Sequence, residues 1–205
     1  LSEKKIELEC KVCQLVKLFK NGSPFKMSKR AGDFISVNEL LNEVSKDSIR
    51  FMMLNRSNDV ELDFDFEKIL EKNKENPVYY VQYCHARIQS ILRLTNHNQK
   101  IKYEFKNKKL DLNKYEKAII RKIFEWPKVI SIASNKYEPH RIPFYLYDLA
   151  TLFHSYWSKG NENDDYKFVI NGKISNDKIL VIIRLILIVL ENGMKILNVS
   201  LPNRM

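Results

Sequence analysis

The apolar stretch at residues 179–190 is the feature that most restricts the fold of this chain. Arg184 is its only charged residue. The stretch is shorter than the roughly 20 apolar residues that a helix needs to cross a bilayer, so we predict no membrane span. A helix that is apolar on all sides has to be covered by other elements. We therefore expect a buried helix in a helical bundle, and the low content of Gly (5) and Pro (6) argues against a loop-rich all-β fold.

Further helices are predicted along most of the chain. A capping box at residues 36–39 and the cap residues Asp63, Asp65 and Asn76 mark helix starts. Apolar residues recur at helical spacing. The predicted helices cover residues 37–44, 46–55, 66–74, 77–96, 112–126, 128–136, 143–157 and 176–197. Pro127 is expected to separate two of them, because proline cannot donate a helical hydrogen bond. Residues 160–172 are expected to form a polar loop.

One β-hairpin is predicted near the start of the chain, over residues 12–26. Asn21-Gly22 is a strong signal for a two-residue hairpin turn, and no later strand is predicted. We expect two units, a mixed one over residues 1–75 and an all-helical one over residues 76–205. The predicted fold class is therefore mainly α.

The net charge of +10 and the pI of about 9.4 favour a polyanionic partner such as nucleic acid. The excess is concentrated in residues 98–140, which carry 11 basic and five acidic side chains. Two interpretations of this segment remain open. It is either an ordinary solvated surface or a surface that faces phosphates.

The three cysteines do not form a disulfide framework, which fits a reducing cytoplasm. Cys10 and Cys13 form a C-x-x-C pair, but no second pair of Cys or His completes a zinc set. We therefore expect no protein-bound metal.

The most informative motif for chemistry lies at residues 25–33. Lys26, Lys29 and Arg30 place three cations close together, beside the hydroxyl of Ser28. Such a loop can close over a triphosphate, where its cations stabilise the charge that builds on departing pyrophosphate. The alternative is an ordinary solvated turn.

The order of these residues resembles a known family. Residues 26–30 resemble the KMSKS signature of class I aminoacyl-tRNA synthetases. Four later segments, at residues 45–51, 62–65, 75–88 and 197–205, are similar to arginyl-tRNA synthetases. They occur in the same order as in that family, and the resemblance covers essentially the whole chain.

The resemblance implies roles for the loop. Lys26 and Lys29 would act on the ATP phosphates during arginine activation, with Met27, Ser28 and Arg30 completing the ATP-binding segment. Mg²⁺ would arrive with ATP. The hairpin and loop would belong to the end of a Rossmann-type catalytic domain.

The resemblance also implies what this chain lacks. Class I synthetases need a second, H-I-G-H-type motif for ATP, and no two histidines here lie close enough in the sequence to form one. We expect that motif and the L-arginine pocket upstream of Leu1. The chain would then be the C-terminal part of an arginine–tRNA ligase and would not aminoacylate alone.

The helices after residue 76 would form the anticodon-binding domain named for its Asp-Ala-Leu-Arg residues, with tRNA-Arg as partner. Unpaired anticodon bases are commonly held by aromatic side chains. Most aromatic residues of the helix at 143–157 are nevertheless expected in the core, Phe153 and Tyr156 among them. Tyr145, His154 and Trp157 are expected to be exposed, because their polar tips lie near a helix end. The candidate tRNA contacts are Tyr83, Arg87, Tyr145, His154, Trp157, Arg204 and Met205.

Four other residues carry structural expectations. Arg50 is expected to pair with an acid such as Asp47 or Glu43, with contact to tRNA as the alternative. Asn198 is expected to end the last helix in a left-handed conformation. Arg87 is expected to bind either a tRNA phosphate or a buried carboxylate. His85 is expected to be structural rather than catalytic.

Three functional hypotheses follow from these features. The favoured one is a cytoplasmic, monomeric arginine–tRNA ligase of which this chain is a part. The second is a freestanding RNA-binding protein, for which the ATP loop at residues 26–30 would have no use. The third is a helical interaction protein, which leaves the basic segment unexplained.

Overall fold

The computed structural model describes residues 8–20, 22–25, 36–97 and 111–205. Within them the chain is mainly helical, which confirms the predicted class. The elements are β1 (Val16–Lys20), β2 (Ser23–Phe25), α1 (Val37–Glu43), α2 (Lys46–Leu54), β3 (Leu62–Asp65), α3 (Phe66–Leu70), α4 (Pro77–Leu94), α5 (Lys114–Asn135), α6 (Arg141–Glu162), a 3₁₀ turn (Asp164–Tyr166), β4 (Val169–Ile170), β5 (Lys173–Ile174) and α7 (Asp177–Leu197). No helix in these ranges is both long and apolar enough to cross a membrane.

The predicted hairpin is confirmed, and it is part of a three-stranded sheet. β1 pairs antiparallel with β2, with Lys20 opposite Ser23, and Gly22 has a φ of +69° in the turn. Asn21, the other predicted turn residue, lies outside the described residues. β1 also pairs in parallel with β3. The prediction of no strand after the hairpin was therefore wrong.

The third strand explains why the next helix is short. Leu62 and Phe64 are buried and Asp63 between them is exposed, which is the alternation of a half-buried strand. Asp65 ends this strand and caps α3, accepting hydrogen bonds from the backbone of Glu67 and Lys68. The predicted helix at 66–74 is thus restricted to Phe66–Leu70.

Two apolar clusters organise the described residues. The smaller one joins the sheet to α1 and α3, and it consists of Leu18, Val44, Leu62, Phe64, Phe66 and Ile69. The larger one fills the bundle of α4 to α7 and also takes Phe51 from α2. The capping box predicted for α1 is confirmed, with Ser36 and Glu39 in reciprocal hydrogen bonds. The domain boundary near residue 75 stays a prediction.

Helix α7 is largely buried, as its sequence predicts. Ile183, Ile186 and Leu190 are fully buried, and α7 packs against α4, α5 and α6. Gly193 permits close contact with α6, since a Cβ there would lie 2.7 Å from a methyl carbon of Leu146. One strip of the helix faces outward, with Ile188 about half exposed.

Helix α5 is continuous from Lys114 to Asn135, so the predicted break at Pro127 was wrong. A proline inside a helix costs about 3 kcal/mol. Side chains on both sides of it pack against the bundle, including Ile123, Trp126 and Val129. These side chains are partly buried, and each gains roughly 25 cal/mol per Å² of apolar surface removed from water, which together offsets the cost.

Residues 160–172 are more ordered than the polar loop predicted for them. Helix α6 continues to Glu162, and a short hairpin of β4 and β5 follows the 3₁₀ turn. Phe168 is 3% exposed, and its ring lies 5.4 Å from that of Trp157. This contact helps to fix the orientation of the Trp157 ring.

Candidate nucleic-acid interface

A cleft of about 710 Å³ lies between the second half of α4, the end of α6 and the last residues of the described chain. It gathers several predicted tRNA contacts that are far apart in sequence. The described residues that line it are Tyr83, Ala86, Arg87, Ser90, Ile91, Arg93, Leu94, Trp157, Arg204 and Met205.

The segment after α7 reaches the cleft because α4 holds its backbone. Gln82 Nε2 donates to the carbonyl of Ser200 over 2.9 Å, and Arg93 Nη1 donates to that of Asn203 over 2.9 Å. Between them, His85 Nδ1 lies 3.0 Å from the carbonyl of Pro202. These contacts place Arg204 and Met205 beside α4, and they confirm the structural role predicted for His85.

The turn that starts this segment also follows from the sequence. Asn198 has φ 54° and ψ 46°, so the predicted left-handed helix end is confirmed. The partner predicted for Arg50 was wrong. Its Nε donates to the carbonyl of Leu197, whereas Asp47 accepts from the backbone N–H and hydroxyl of Ser200. Helix ends leave unpaired carbonyl groups with partial negative charge, which explains why Arg50 binds there.

Arg87 lines the cleft and lies against two aromatic rings. Its guanidinium carbon lies 4.4 Å from the ring centre of Tyr83 and 5.2 Å from that of Trp157. Its Nη2 also donates to the Tyr83 hydroxyl. No described carboxylate lies within ion-pair distance of Arg87, so its charge faces the cleft uncompensated by the described residues.

The ring of Tyr83 is fixed by two stacked neighbours. Tyr79 lies one helical turn earlier, with ring centres 5.8 Å apart, and His154 of α6 lies 5.6 Å away on a nearly parallel plane. Residues four apart on a helix share a face, which explains the first contact. Tyr83 therefore presents a preorganised surface beside Arg87.

His154 supports this surface without reaching solvent. It is 7% exposed, and its Nε2 lies 3.3 Å from the carbonyl of Tyr80. Burial lowers the pKa of His154 to about 4, although the Tyr80 carbonyl opposes the shift. The imidazole is thus neutral at pH 7.

The expectation that Tyr145 and His154 are exposed was wrong. Tyr145 is 3% exposed, its ring packs 5.1 Å from Trp126, and its hydroxyl donates to the carbonyl of Lys122. Burial raises the pKa of Tyr145. Proximity to a helix end does not expose a side chain when a neighbouring helix covers it. Neither ring is accessible to a base, whereas the predicted core positions Phe153 and Tyr156 are confirmed as buried.

The sequence interpretation missed part of the cleft wall on α4. Ala86, Ser90, Arg93 and Leu94 also line the cleft. They follow Tyr83 at intervals of three and four residues and therefore share its helix face. That spacing was the signal that could have identified them.

Two predicted features lie outside the described residues. They are the ATP-binding candidates Lys26, Met27, Ser28, Lys29 and Arg30, and the first part of the basic segment, residues 98–110. In the ranges that the structure does cover, no cluster of three or more His, Cys, Asp or Glu side chains is arranged to hold a metal. Cys10 and Cys13 are exposed free thiols.

The chain matches the family of the DALR anticodon binding domain over residues 81–205, which includes every residue of the cleft. The arginine–tRNA ligase of Pelagibacter ubique is 53% identical to it over 206 residues, covering 100% of this chain and 36% of that protein. The arginine–tRNA ligase of Ruegeria pomeroyi is 43% identical and covers 98% of this chain and 35% of that protein. The chain thus spans about a third of the length of these relatives.

Solved structures show the same architecture. A structure described as an arginyl-tRNA synthetase, from Campylobacter jejuni, matches with a TM-score of 0.75 at 27% identity, over 94% of this chain and 40% of that one. The arginyl-tRNA synthetase of Thermus thermophilus matches with a TM-score of 0.64 at 21% identity, over 94% of this chain and 35% of that one. The second likeness concerns the fold alone.

Proposed function

Because this chain belongs to the family of DALR anticodon-binding domains, we propose that it is the part of an arginine–tRNA ligase that holds the anticodon region of tRNA-Arg. The observation that carries the proposal is the cleft at Arg87, where two aromatic rings and three arginines converge. Unpaired RNA bases stack on aromatic rings, and guanidinium groups bind phosphates. The cleft offers both kinds of contact.

The predicted tRNA contacts in the cleft have different roles in this proposal. Trp157 offers a ring surface to unpaired bases. Tyr83, which is covered by Tyr79, His154 and Arg87, contributes by positioning the Arg87 guanidinium at the RNA. Arg87 and Arg204 neutralise phosphates of the loop or stack on its bases. Met205 is about half exposed, and its flexible thioether side chain adapts to the shape of a base.

The catalytic role of the whole ligase is also a proposal. Arginine carboxylate attacks the α-phosphate of ATP, giving arginyl-adenylate and pyrophosphate, and a ribose hydroxyl of the terminal tRNA adenosine then displaces AMP. Lys26 and Lys29 stabilise charge on the departing pyrophosphate, with Met27, Ser28 and Arg30 supporting the loop. Mg²⁺ is carried by ATP, and the L-arginine pocket lies in a part of the ligase outside this chain.

Sequence identities of 53% and 43% to two arginine–tRNA ligases, over 100% and 98% of this chain, support this assignment. We propose that the ligase acts in the cytoplasm, where its tRNA substrate is charged, and that it acts as a monomer. This chain alone is expected to bind tRNA without charging it.

The test is binding of labelled tRNA-Arg to the chain and to its Arg87→Gln variant, beside a non-cognate tRNA. Glutamine keeps much of the side-chain length but removes the charge. A hydrogen bond to a charged group contributes about 1.5–3 kcal/mol, so we expect about ten-fold or more weaker cognate binding. Lys195→Gln, on an exposed part of α7, is the matched control. Equal affinity of wild type and Arg87→Gln for tRNA-Arg would refute the proposal.

A further inference from the structure

Helix α5 exposes a row of basic and polar side chains, with one phenylalanine among them, on the side that faces away from the bundle. Its members are three or four residues apart and so share one face of the helix. All of them are exposed, and the row comprises Lys114, Lys117, Arg121, Phe124, Lys128, Ser131 and Asn135. We call this set the α5 row.

The positive charge of the α5 row is not balanced by nearby acids. Among the ion pairs of the described residues, none involves Lys117, Arg121 or Lys128. The ammonium of Lys114 lies 5.0 Å from the ring centre of Tyr115. The adjacent acid, Glu125, has its carboxylate 3.8 Å from Lys122, which lies outside the row.

The spacing of these cations is extended rather than clustered. From Lys114 to Lys128 the row covers about 21 Å, at 1.5 Å per residue. Phe124 stands near its centre with 81% of its surface exposed. A straight line of cations with one apolar contact fits a long polyanion better than a small anion.

We propose that the α5 row is a second RNA-binding surface, which grips the sugar–phosphate backbone of an RNA stem. Double-helical RNA is bound mainly through phosphates and 2′-hydroxyl groups, without sequence readout. Lys117, Arg121 and Lys128 contact phosphates, and Phe124 packs against ribose. The identity of this RNA as tRNA-Arg rests on the proposed function of the cleft.

The surface is distinct from the cleft. The α5 row shares no residue with the cleft lining, and α6 packs against both α4 and α5. The cleft would select unpaired bases, whereas the row would add affinity that does not depend on sequence. Two separated contacts would also orient the RNA on the bundle.

Other partners fit the α5 row less well. A helix that binds a lipid surface inserts a broad apolar face, but the apolar face of α5 is packed against α6 and α7. Protein interfaces are depleted of lysine at their centres, whereas three of the seven residues of this row are lysines. Phosphates therefore remain the favoured ligand.

The experiment compares two triple variants of the full chain that lose the same charge. Lys117→Gln/Arg121→Gln/Lys128→Gln removes the row, and Lys72→Gln/Lys173→Gln/Lys195→Gln removes scattered exposed lysines. Thermal unfolding establishes that both variants fold. Binding is measured over a salt series with tRNA-Arg and with a hairpin RNA that keeps the anticodon stem but carries an unrelated loop.

We expect the row variant to bind both RNAs about ten-fold or more weakly at low salt. The slope of log affinity against log salt should fall by about 2 to 3, one unit for each lost phosphate contact. The scattered control should stay close to wild type. Arg87→Gln should weaken binding of tRNA-Arg more than binding of the hairpin.

Equal binding of the stem hairpin by the row variant and the scattered control would overturn the inference. The inference would also be overturned if the row variant lost binding to anionic phosphatidylserine vesicles but kept its binding to RNA. That result would assign the row to a lipid surface. If Arg87→Gln binds tRNA-Arg normally while the row variant binds the hairpin weakly, the α5 row stands and the proposed function of the cleft fails.

Discussion

At the scale of single residues, the cleft depends on side chains that do not themselves face it. Tyr83 is stacked between Tyr79 and His154, and Arg87 lies over Tyr83. His154 can hold this place only as a neutral ring, because burial disfavours its charged form. The shape of the proposed RNA contact is therefore linked to the protonation of a buried imidazole.

This linkage predicts a pH dependence of stability. The pKa of His154 is lowered from 6.5 to about 4, so the unfolded chain binds more protons between these values. Stability from this group is full above pH 6.5 and is lost as pH falls towards 4, by up to about 3 kcal/mol. Urea unfolding at pH 7 and pH 5 should show a smaller loss for His154→Gln than for wild type. Parallel losses in the two proteins would contradict this account.

At the scale of elements, helix α5 depends on the cap at its first turn. Asn113 accepts hydrogen bonds from the backbone of Tyr115 and Glu116, and it donates to the hydroxyl of Tyr156 over 3.0 Å. Glu116 is buried, and its carboxylate lies 3.6 Å from the ammonium of Lys178. The cap thus joins α5 to both α6 and α7, and it fixes the helix end that carries Lys114.

Removal of this cap should loosen the start of α5. Asn113→Ala is expected to destabilise the chain by about 1–2 kcal/mol, because the helix loses its N-cap and Tyr156 loses a partner. Asn113→Ser keeps a capping oxygen and should lose less. Asn135→Ala, at the exposed far end of α5, is the control. The free energy of unfolding of all three variants is measured by chemical denaturation. Equal stability of Asn113→Ala and wild type would rule out the capping role of Asn113.

The elements also show which parts of the fold the sequence predicts. Local signals sufficed for the helix starts at Ser36, Asn76 and Asp65, because a cap involves only the next few residues. They failed for β3, whose partner β1 lies far away in the chain, and for Pro127, where tertiary packing outweighs a local preference. The residues missed on the α4 side of the cleft could have been predicted from their helical spacing to Tyr83. The burial of Tyr145 could not be predicted, because it depends on which helix covers it.

At the scale of the whole molecule, the proposed ligase places arginine activation and anticodon binding in different parts of the amino-acid sequence. The described cleft lies wholly within residues 81–205, whereas the basic motif at 26–30 precedes the bundle. The small apolar cluster around Phe64 and the large one around Ile183 are distinct. A substitution that impairs arginine activation should therefore leave tRNA binding measurable, and a substitution in the cleft should leave arginine activation measurable.

We predict that Lys26→Ala and Lys29→Ala in the full-length ligase slow arginine-dependent exchange of pyrophosphate into ATP by about 100-fold or more, because stabilisation of developing charge is lost. Binding of tRNA-Arg should change by less than about two-fold. Lys72→Ala, on an exposed loop, serves as the control. Unchanged exchange rates in both loop variants would refute the assignment of Lys26 and Lys29.

The way α4 holds the final segment has a consequence for how such a cleft could evolve. Gln82, His85 and Arg93 contact main-chain carbonyls, which every amino acid possesses. These three contacts therefore do not depend on the side chains of the segment, although the hydroxyl of Ser200 is also held by Asp47. Residues 204 and 205 can mutate without losing their position beside Arg87, so one scaffold can acquire a different preference for nucleotides by changing only these side chains.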